Sequence, residues 1–187
     1  RQIARRAAGM CFIPEERLGH AAVPDMSLSE NTLLSARRSK GLVRNGFLDH
    51  GAARDFAEAV VAALDVRTAG VGHAARSLSG GNLQKFVVGR EVLQQPAVLI
   101  ASQPTWGVDA GAAAAIHQRL LDLAAAGAAV LVISQDLDEL MTISTRIAVI
   151  AGGRVSPARP AAALSVEEIG LAMGGKDTRA MEAAAHA

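Results

Sequence analysis

Aromatic residues are almost missing from this chain: it has no tyrosine, one tryptophan and four phenylalanines, 3% of 187 residues. Hydrophobic residues nevertheless make up 50%, so the interior has to be built from Ala, Leu, Val and Ile. Cysteine is reduced to Cys11, which excludes an internal disulfide. In the apolar run GMCFIP that residue reads as a buried structural thiol. A surplus of either charge is lacking too, since 19 Lys+Arg against 18 Asp+Glu leave +1. That balance excludes the concentrated basic footprint of a large nucleic-acid surface. The one basic cluster, Arg1 to Arg6, reads as a solvated face. No run approaches the ~18 apolar residues of a membrane span, and no signal-peptide pattern opens the chain. The length suits one ordinary domain or a piece of a larger one. The expectation is a cytosolic protein, and a chain that opens on Arg rather than Met is expected to be an excised piece. There is no internal repeat.

Hydrophobic periodicity divides the sequence into two styles. MCFIPE is a short apolar run stopped by Pro14, consistent with a buried strand. In SLSENTLL, Ser27 and Glu30 have capping-box spacing, which predicts a helix beginning near Leu28. SARRSKGLVRNG reads as helix end and loop. Asp49 opens a second helix with apolar positions at Phe56, Val60 and Leu64, and the Gly-containing linker RTAGVGHAARS follows. After Pro96 the pattern changes. AVLIAS and AVLVIS are apolar throughout, and a helix with Ile116, Leu120, Leu123 and Ala124 on one face separates them, stopped by Gly127. Such strands alternating with helices predict a parallel sheet covered on both faces. DLDELMTIS reads as a short helix whose acidic run, Asp136, Asp138 and Glu139, complements the helix start. RIAVIAGGRV reads as a strand turning at Gly152-Gly153 into a shorter one. SVEEIGLAMGG is a last helix with a second capping box, Ser165 and Glu168, and Gly174 as its stop. The tail from Lys176 is expected to be mobile.

The chemistry is concentrated in LSGGNLQK, Leu78 to Lys85. Ser79 is suited to cap the N–H groups that have no intrahelical partner at a helix start. Gly80 and Gly81, without Cβ atoms, leave those groups open to an approaching anion, and the positive end of the helix dipole favours a phosphate. Taken alone, the same three residues also fit a capped turn and nothing more. The histidines, His20, His50, His73, His117 and His186, share no metal-ligand spacing and read as surface or local packing.

LSGGNLQK, a helix, AVLIASQPTWGVD and AVLVISQDLDEL, in that order, resemble the C-terminal part of an ABC-transporter nucleotide-binding domain: signature motif, Walker B strand, D-loop and switch strand. The resemblance spans roughly Gly9 to Val155. The upstream FIPEERLGHAAVPDMSLSENTLL narrows it to the second cassette of sugar- and nucleoside-import ATPases that carry two cassettes in one chain. The resemblance implies an α/β fold, a partial P-loop NTPase (ABC ATPase) parallel sheet with a helical subdomain. It divides the chain into a strand and glutamine-loop-equivalent region (1–26), a helical signature subdomain (27–95), an α/β core with Walker B, D-loop and switch strands (96–155), and a C-terminal helix and tail (156–187).

Roles follow the matching positions. Ser79, Gly80 and Gly81 match the signature, which contacts the γ-phosphate of ATP held by an opposing cassette. Asp109 matches the D-loop aspartate that crosses the dimer interface. Glu15 stands at the glutamine-loop position. Trp106 occupies a slot next to the D-loop often held by Arg, and reads as an interface anchor or as packing. Three positions depart from the pattern: Ser102 stands for the Mg²⁺-linked carboxylate, Gln103 for the catalytic glutamate and Gln135 for the switch histidine. None can serve as acidic metal partner, general base or imidazole contact; the two glutamines also fit as polar strand-end residues without a role. GLAMGGKD, Gly170 to Asp177, imitates a P-loop, but it ends a helix and follows the Walker B region. The expectation is therefore an ATP-binding piece of an importer that offers its signature to a composite site and does not hydrolyse ATP itself, or else a scaffold cassette that only docks to the permease. ATP and Mg²⁺ belong to the full assembly, with none expected on this piece alone. Its partners are a first cassette, membrane permease subunits and, indirectly, an extracellular substrate-binding protein, with no nucleic acid. It is expected at the inner face of the cell membrane. A third reading, a chromosome or repair ATPase of ABC type, is disfavoured by the lack of sustained heptads or a basic stripe.

Overall fold

The computed structural model describes residues 2–174, so the expected mobile tail from Lys176 and His186 lie outside the described residues. The chain divides into two compact units, one ending at Ile133 and one starting at Ser134.

In the first unit the elements run α1 (Gln2–Ala7), β1 (Met10–Ile13), α2 (Leu28–Ala36), β2 (Val43–Arg44), β3 (Phe47–Leu48), α3 (His50–Ala63), α4 (Gly80–Val92), β4 (Val98–Ser102), α5 (Ala110–Ala125) and β5 (Ala129–Ile133). Strands β1, β4 and β5 form a parallel sheet in the order β1-β4-β5, with Cys11 beside Leu99 and Leu99 beside Val130. The caps explain the helix starts. Ser27 and Glu30 make the reciprocal capping box of α2, and Asp49 and Asp109 cap α3 and α5. Gly127 stops α5 with φ +97°, a conformation that only glycine adopts at no cost.

Three features depart from the sequence reading. The basic start forms the short helix α1. Within the segment read as loop, β2 and β3 pair around Asn45-Gly46, where φ values of +51° and +85° make the tight hairpin turn. The sheet, read as covered on both faces, is covered on one. Cys11, Ile13, Leu99 and Ala101 are buried, while Phe12, Leu131 and Ile133 on the other face are exposed by 44%, 53% and 42%. The reason is that α4 packs on β1 and α5 on β5, and all the buried sheet residues lie on a single side. On α5, Ile116, Leu120 and Leu123 are buried but Ala124 is exposed.

Helix α4 is the centre of this unit. From Leu83 to Val92 every residue but Lys85 is buried. It includes Arg90 and Glu91, which pair at 2.8 Å, and Arg6 of α1 reaches the same carboxylate at 3.0 Å. Burial acts to raise the Glu91 carboxyl, but Arg90, Arg6 and a hydrogen bond from Ser35 outweigh it and hold it below the ordinary value. Cys11, buried as read from the sequence, has its thiol pushed up to about 12 by burial and by Glu91. Gly89 lets α3 approach: a Cβ there would lie 2.9 Å from Leu64 and 3.0 Å from Val60.

The second unit holds α6 (Leu137–Ile143), β6 (Arg146–Ile147), β7 (Ile150–Ala151), β8 (Arg154–Val155), β9 (Arg159–Pro160) and α7 (Val166–Met173). Its core is Ile147, Val149, Ala161, Leu164, Ile169 and Ala172, with Leu137, Leu140 and Met141 packed against it. The strand expected over RIAVIA is split, because β6 pairs with β9 and β7 with β8. At the change of partner, the Val149 N–H donates to Ser156 Oγ at 2.9 Å, where a ladder bond would otherwise be. Ser165 and Glu168 form the second capping box, and Gly174 is the C-cap of α7. The described part of the P-loop imitation GLAMGGKD thus ends a helix, and its last three residues lie outside the described ones.

Two stability predictions follow from α4. Gly89→Ala is expected to cost about 1–3 kcal/mol by overpacking against Leu64 and Val60, read from urea denaturation midpoints. Glu91→Gln leaves Arg90 buried without its counter-charge and is expected to cost about 3–5 kcal/mol near neutral pH. Because the folded Glu91 carboxyl is lowered, its contribution is present above the ordinary carboxylate range and is lost as pH falls through and below it. The mutant's denaturation midpoint should therefore fall less steeply with acid than the wild type's, and parallel curves would contradict the assignment.

Candidate functional site

The sequence-predicted site residues of the first unit lie at the ends of α4, α5 and the sheet strands. Ser79 is the N-cap of α4 and is exposed. Its Oγ accepts from the Asn82 N–H at 3.4 Å and from Asn82 Nδ2 at 2.9 Å. Asn82 in turn accepts the Arg67 N–H at 2.8 Å, which ties the preceding linker to the helix start. The first turn of α4 has no acidic residue.

The two glycines differ. A Cβ on Gly80 would sit 2.9 Å from Arg17 Nη1, so space at that position is already taken. A Cβ on Gly81 would meet the Gly107 carbonyl at 3.6 Å and Val108 beyond it, ordinary contacts, and its φ is not in the left-handed region. Neither the backbone nor the packing of this chain requires glycine at 81.

Asp109 begins α5 and its carboxylate accepts the Ala112 N–H at 2.9 Å. That bond is the main reason its carboxyl lies below the ordinary value. Ser79, Gly81 and Asp109 come together around one cavity of about 320 Å³, whose wall also includes Asn82, Lys85 and Arg67. Lys85 is largely buried there; its Nζ donates to the Asp65 carbonyl and lies 4.0 Å from the Asp65 carboxylate. Asn82 and Lys85 stand in the quoted motif LSGGNLQK, yet sequence reasoning gave them no role. The i,i+3 steps from Ser79 to Asn82 and from Asn82 to Lys85 were the available signal.

The other residues are placed elsewhere. Glu15 is exposed in the loop after β1, and Ser102 ends β4. Gln103 is buried with φ +50°, a left-handed conformation costly to residues other than glycine. It is held there by its N–H donating to the Ile133 carbonyl at 2.8 Å and by the Trp106 N–H donating to its own carbonyl at 3.1 Å. Trp106 is 66% exposed. Gln135 belongs to the second unit, where it is exposed just before Asp136, the N-cap of α6. Among the described residues no group of three or more His, Cys, Asp or Glu could hold a metal ion, and no helix is long and apolar enough to cross a membrane.

The parallel sheet with its serine-capped and aspartate-capped helices has the fold of solved ABC ATPase cassettes. Solved structures agree at the level of the fold. A dimeric ATP-binding cassette in a post-hydrolysis state, bound to ADP and Pi, superposes with a TM-score of 0.71 at 22% identity, covering 86% of this chain and 66% of that one. An ATP-binding subunit of an ABC transporter gives 0.70 at 17% identity, covering 92% and 72%. No family model matches the chain. Among sequence relatives, the ribose import ATP-binding protein RbsA 1 of Streptomyces avermitilis is 44% identical over 82% of this chain and 29% of its own length. The guanosine import ATP-binding protein NupO of Bacillus subtilis is 40% identical over 90% and 33%, and the nucleoside import ATP-binding protein NupA of Lactococcus lactis 39% over 94% and 34%. The chain is a homologue of these sugar- and nucleoside-import ATP-binding proteins and corresponds to part of an ABC cassette. It spans about a third of the length of the relatives it matches.

The contrast between the capping serine and the unneeded glycine gives a prediction for the chain itself. Ser79→Ala is expected to cost about 1 kcal/mol through the lost cap. Gly81→Ala is expected to be neutral or to stabilise by up to about 1 kcal/mol. Thermal and urea denaturation of both variants measure this, and a marked loss in Gly81→Ala would show that local packing does demand the glycine.

Proposed function

We propose that the chain forms one side of a composite ATP site in an ABC importer for sugars or nucleosides, offering the start of α4 to nucleotide held by an opposing cassette. The observation that carries this reading is Gly81: it lies at an open helix start, in the wall of the cavity shared with Ser79 and Asp109, and nothing in this chain requires it to lack a side chain. A helix start free of acidic residues favours an anion through its free N–H groups and its dipole. In this reading Gly81 admits the γ-phosphate, Gly80 leaves room for the Arg17 guanidinium and Ser79 holds the turn. Asp109 faces the partner across the cavity, and Glu15 stands at the loop that senses the nucleotide and the permease.

The same reading makes this half non-hydrolytic. Mg²⁺ asks for hard, preferably anionic oxygen ligands, and water attack asks for a positioned base. Ser102, Gln103 and Gln135 offer neutral groups at those positions, so the residues present do not fit the ion. Mg²⁺ and the phosphate cradle would belong to the opposing cassette. Its partners would be that cassette, the membrane permease and, through the permease, an extracellular substrate-binding protein; the whole would sit at the inner face of the membrane. The names of the relatives, importers of ribose, guanosine and nucleosides, support the substrate classes, and the charge balance leaves no place for nucleic acid.

The test is ATPase activity of the full two-cassette protein with its permease. Gly81→Asp places a carboxylate where a γ-phosphate would sit. Two unit charges ~4 Å apart at an effective dielectric of ~20 repel by about 4 kcal/mol before relaxation, and turnover is expected to fall by about a hundredfold or more, with an unchanged melting temperature. Wild-type turnover in a folded Gly81→Asp protein would replace this reading with that of a scaffold cassette that only docks to the permease.

A further inference from the structure

Three segments far apart in sequence meet at one guanidinium. Arg17 leaves the loop after β1, and its Nε donates to Gln84 Oε1 at 3.0 Å. One of its terminal nitrogens donates to the Trp106 carbonyl. Gln84 is 1% exposed and turns its amide nitrogen the other way, donating to the Pro104 carbonyl at 2.7 Å and to the Gln103 carbonyl at 3.5 Å. Two glycines make room for the guanidinium: a Cβ on Gly80 would lie 2.9 Å from one terminal nitrogen, and a Cβ on Gly107 3.2 Å from the other. Arg17 and Gln84 therefore strap loop 14–22, the first turn of α4 and the turn 103–107 into one unit. That last turn holds two left-handed residues, Gln103 at φ +50° and Gly107 at φ +65°, and it runs directly into Asp109.

The placement works against the empty chain. A cation beside the N-terminal turn of a helix opposes the helix dipole, and half-burying a guanidinium loses hydration. An anion at the helix start offsets both penalties by its attraction to the guanidinium and to the helix dipole. A planar fork is also the side chain that can address a side-chain oxygen and a backbone carbonyl at once, which a lysine's single ammonium does with less geometric control.

Building on the proposal that the start of α4 faces ATP, we infer that Arg17 is a positioning residue that fixes the α4 start and the 103–108 turn relative to each other and makes both follow loop 14–22. Gln84 is the other half of the same device. The arrangement predicts that losing the strap loosens the closed, reacting geometry more than it weakens nucleotide capture by the opposing cassette.

The experiment is steady-state ATPase kinetics of the full two-cassette protein with its permease in lipid vesicles, for wild type, Arg17→Ala, Arg17→Lys, Gln84→Ala, the Arg17→Ala/Gln84→Ala double variant and Gly81→Asp, with melting curves alongside. Arg17→Ala is expected to lower kcat about tenfold while the KM for ATP stays within about twofold. Arg17→Lys should recover little of the loss. The double variant should be no worse than the poorer single one, because the two side chains act as one strap. A purely structural role would instead lower the melting temperature and leave kcat of the folded protein unchanged, which overturns the inference, as do additive losses in the double variant. If Arg17→Ala does not fold, Arg17→Lys carries the test, and wild-type kcat in it overturns the inference. Wild-type kcat in Gly81→Asp overturns the ATP-facing reading and this inference with it. Loss in Gly81→Asp with wild-type kcat in both Arg17 variants overturns this inference alone.

Discussion

The burial of α4 is the constraint on which the rest of the first unit depends. A helix buried on nearly every side is ordinarily apolar all round, yet α4 carries Gln84, Arg90 and Glu91 in its buried part. Each has to be matched by a partner, since an unpaired polar group in such a place costs more than a hydrogen bond returns. The partners come from different elements: Arg6 of α1 for Glu91, the Asn31 carbonyl of α2 for Arg90, and the 103–104 turn for Gln84. The helix therefore has one position in which all its polar groups are met. Its first turn, the part that reaches the surface, is aimed by contacts made further along the helix, at Gln84, Arg90 and Glu91.

The same economy appears in the segment before α2. Asn31 is fully buried. Its amide nitrogen donates to the carbonyls of Val23, Met26 and Ser27, and its oxygen accepts the Val23 N–H at 2.8 Å. One side chain thus orders the stretch leading from the loop of Glu15 and Arg17 into α2. Polar groups rather than large aromatic ones do the joining, which fits a chain that has no tyrosine and a single tryptophan, the latter largely exposed.

Elements with strong local signals were legible in the sequence. The capping pairs Ser27–Glu30 and Ser165–Glu168 stand at helix starts, and Ser79, Asp49 and Asp109 are N-caps because a short side chain with an accepting oxygen satisfies the first N–H groups wherever it stands. The order of AVLIAS and AVLVIS announced a parallel sheet. What was missed depends on partners rather than on local pattern. Helix α1 is tied by Arg6 to Glu91, 85 residues away. The Asn45-Gly46 hairpin carried a readable turn signal, masked by the polar run before it. The bare sheet face could not be read, because an apolar strand looks the same whether one or both of its faces are covered. At the candidate site, Ser79, Gly81 and Asp109 were legible as motif residues. Arg17 and Gln84 were not, since their meaning lies in a contact between residues 67 positions apart.

The bare sheet face has a consequence for how the chain behaves in bulk. Phe12 on β1 and Leu131 and Ile133 on β5 expose apolar surface on the same face of the sheet, at its two outer strands. An apolar face next to a strand edge is a surface on which like molecules associate. Association that favours the folded form adds to its apparent stability by mass action. Where copies of the chain pair through this face, the melting temperature becomes a function of concentration, and a single value quoted without that concentration describes the solution as much as the molecule.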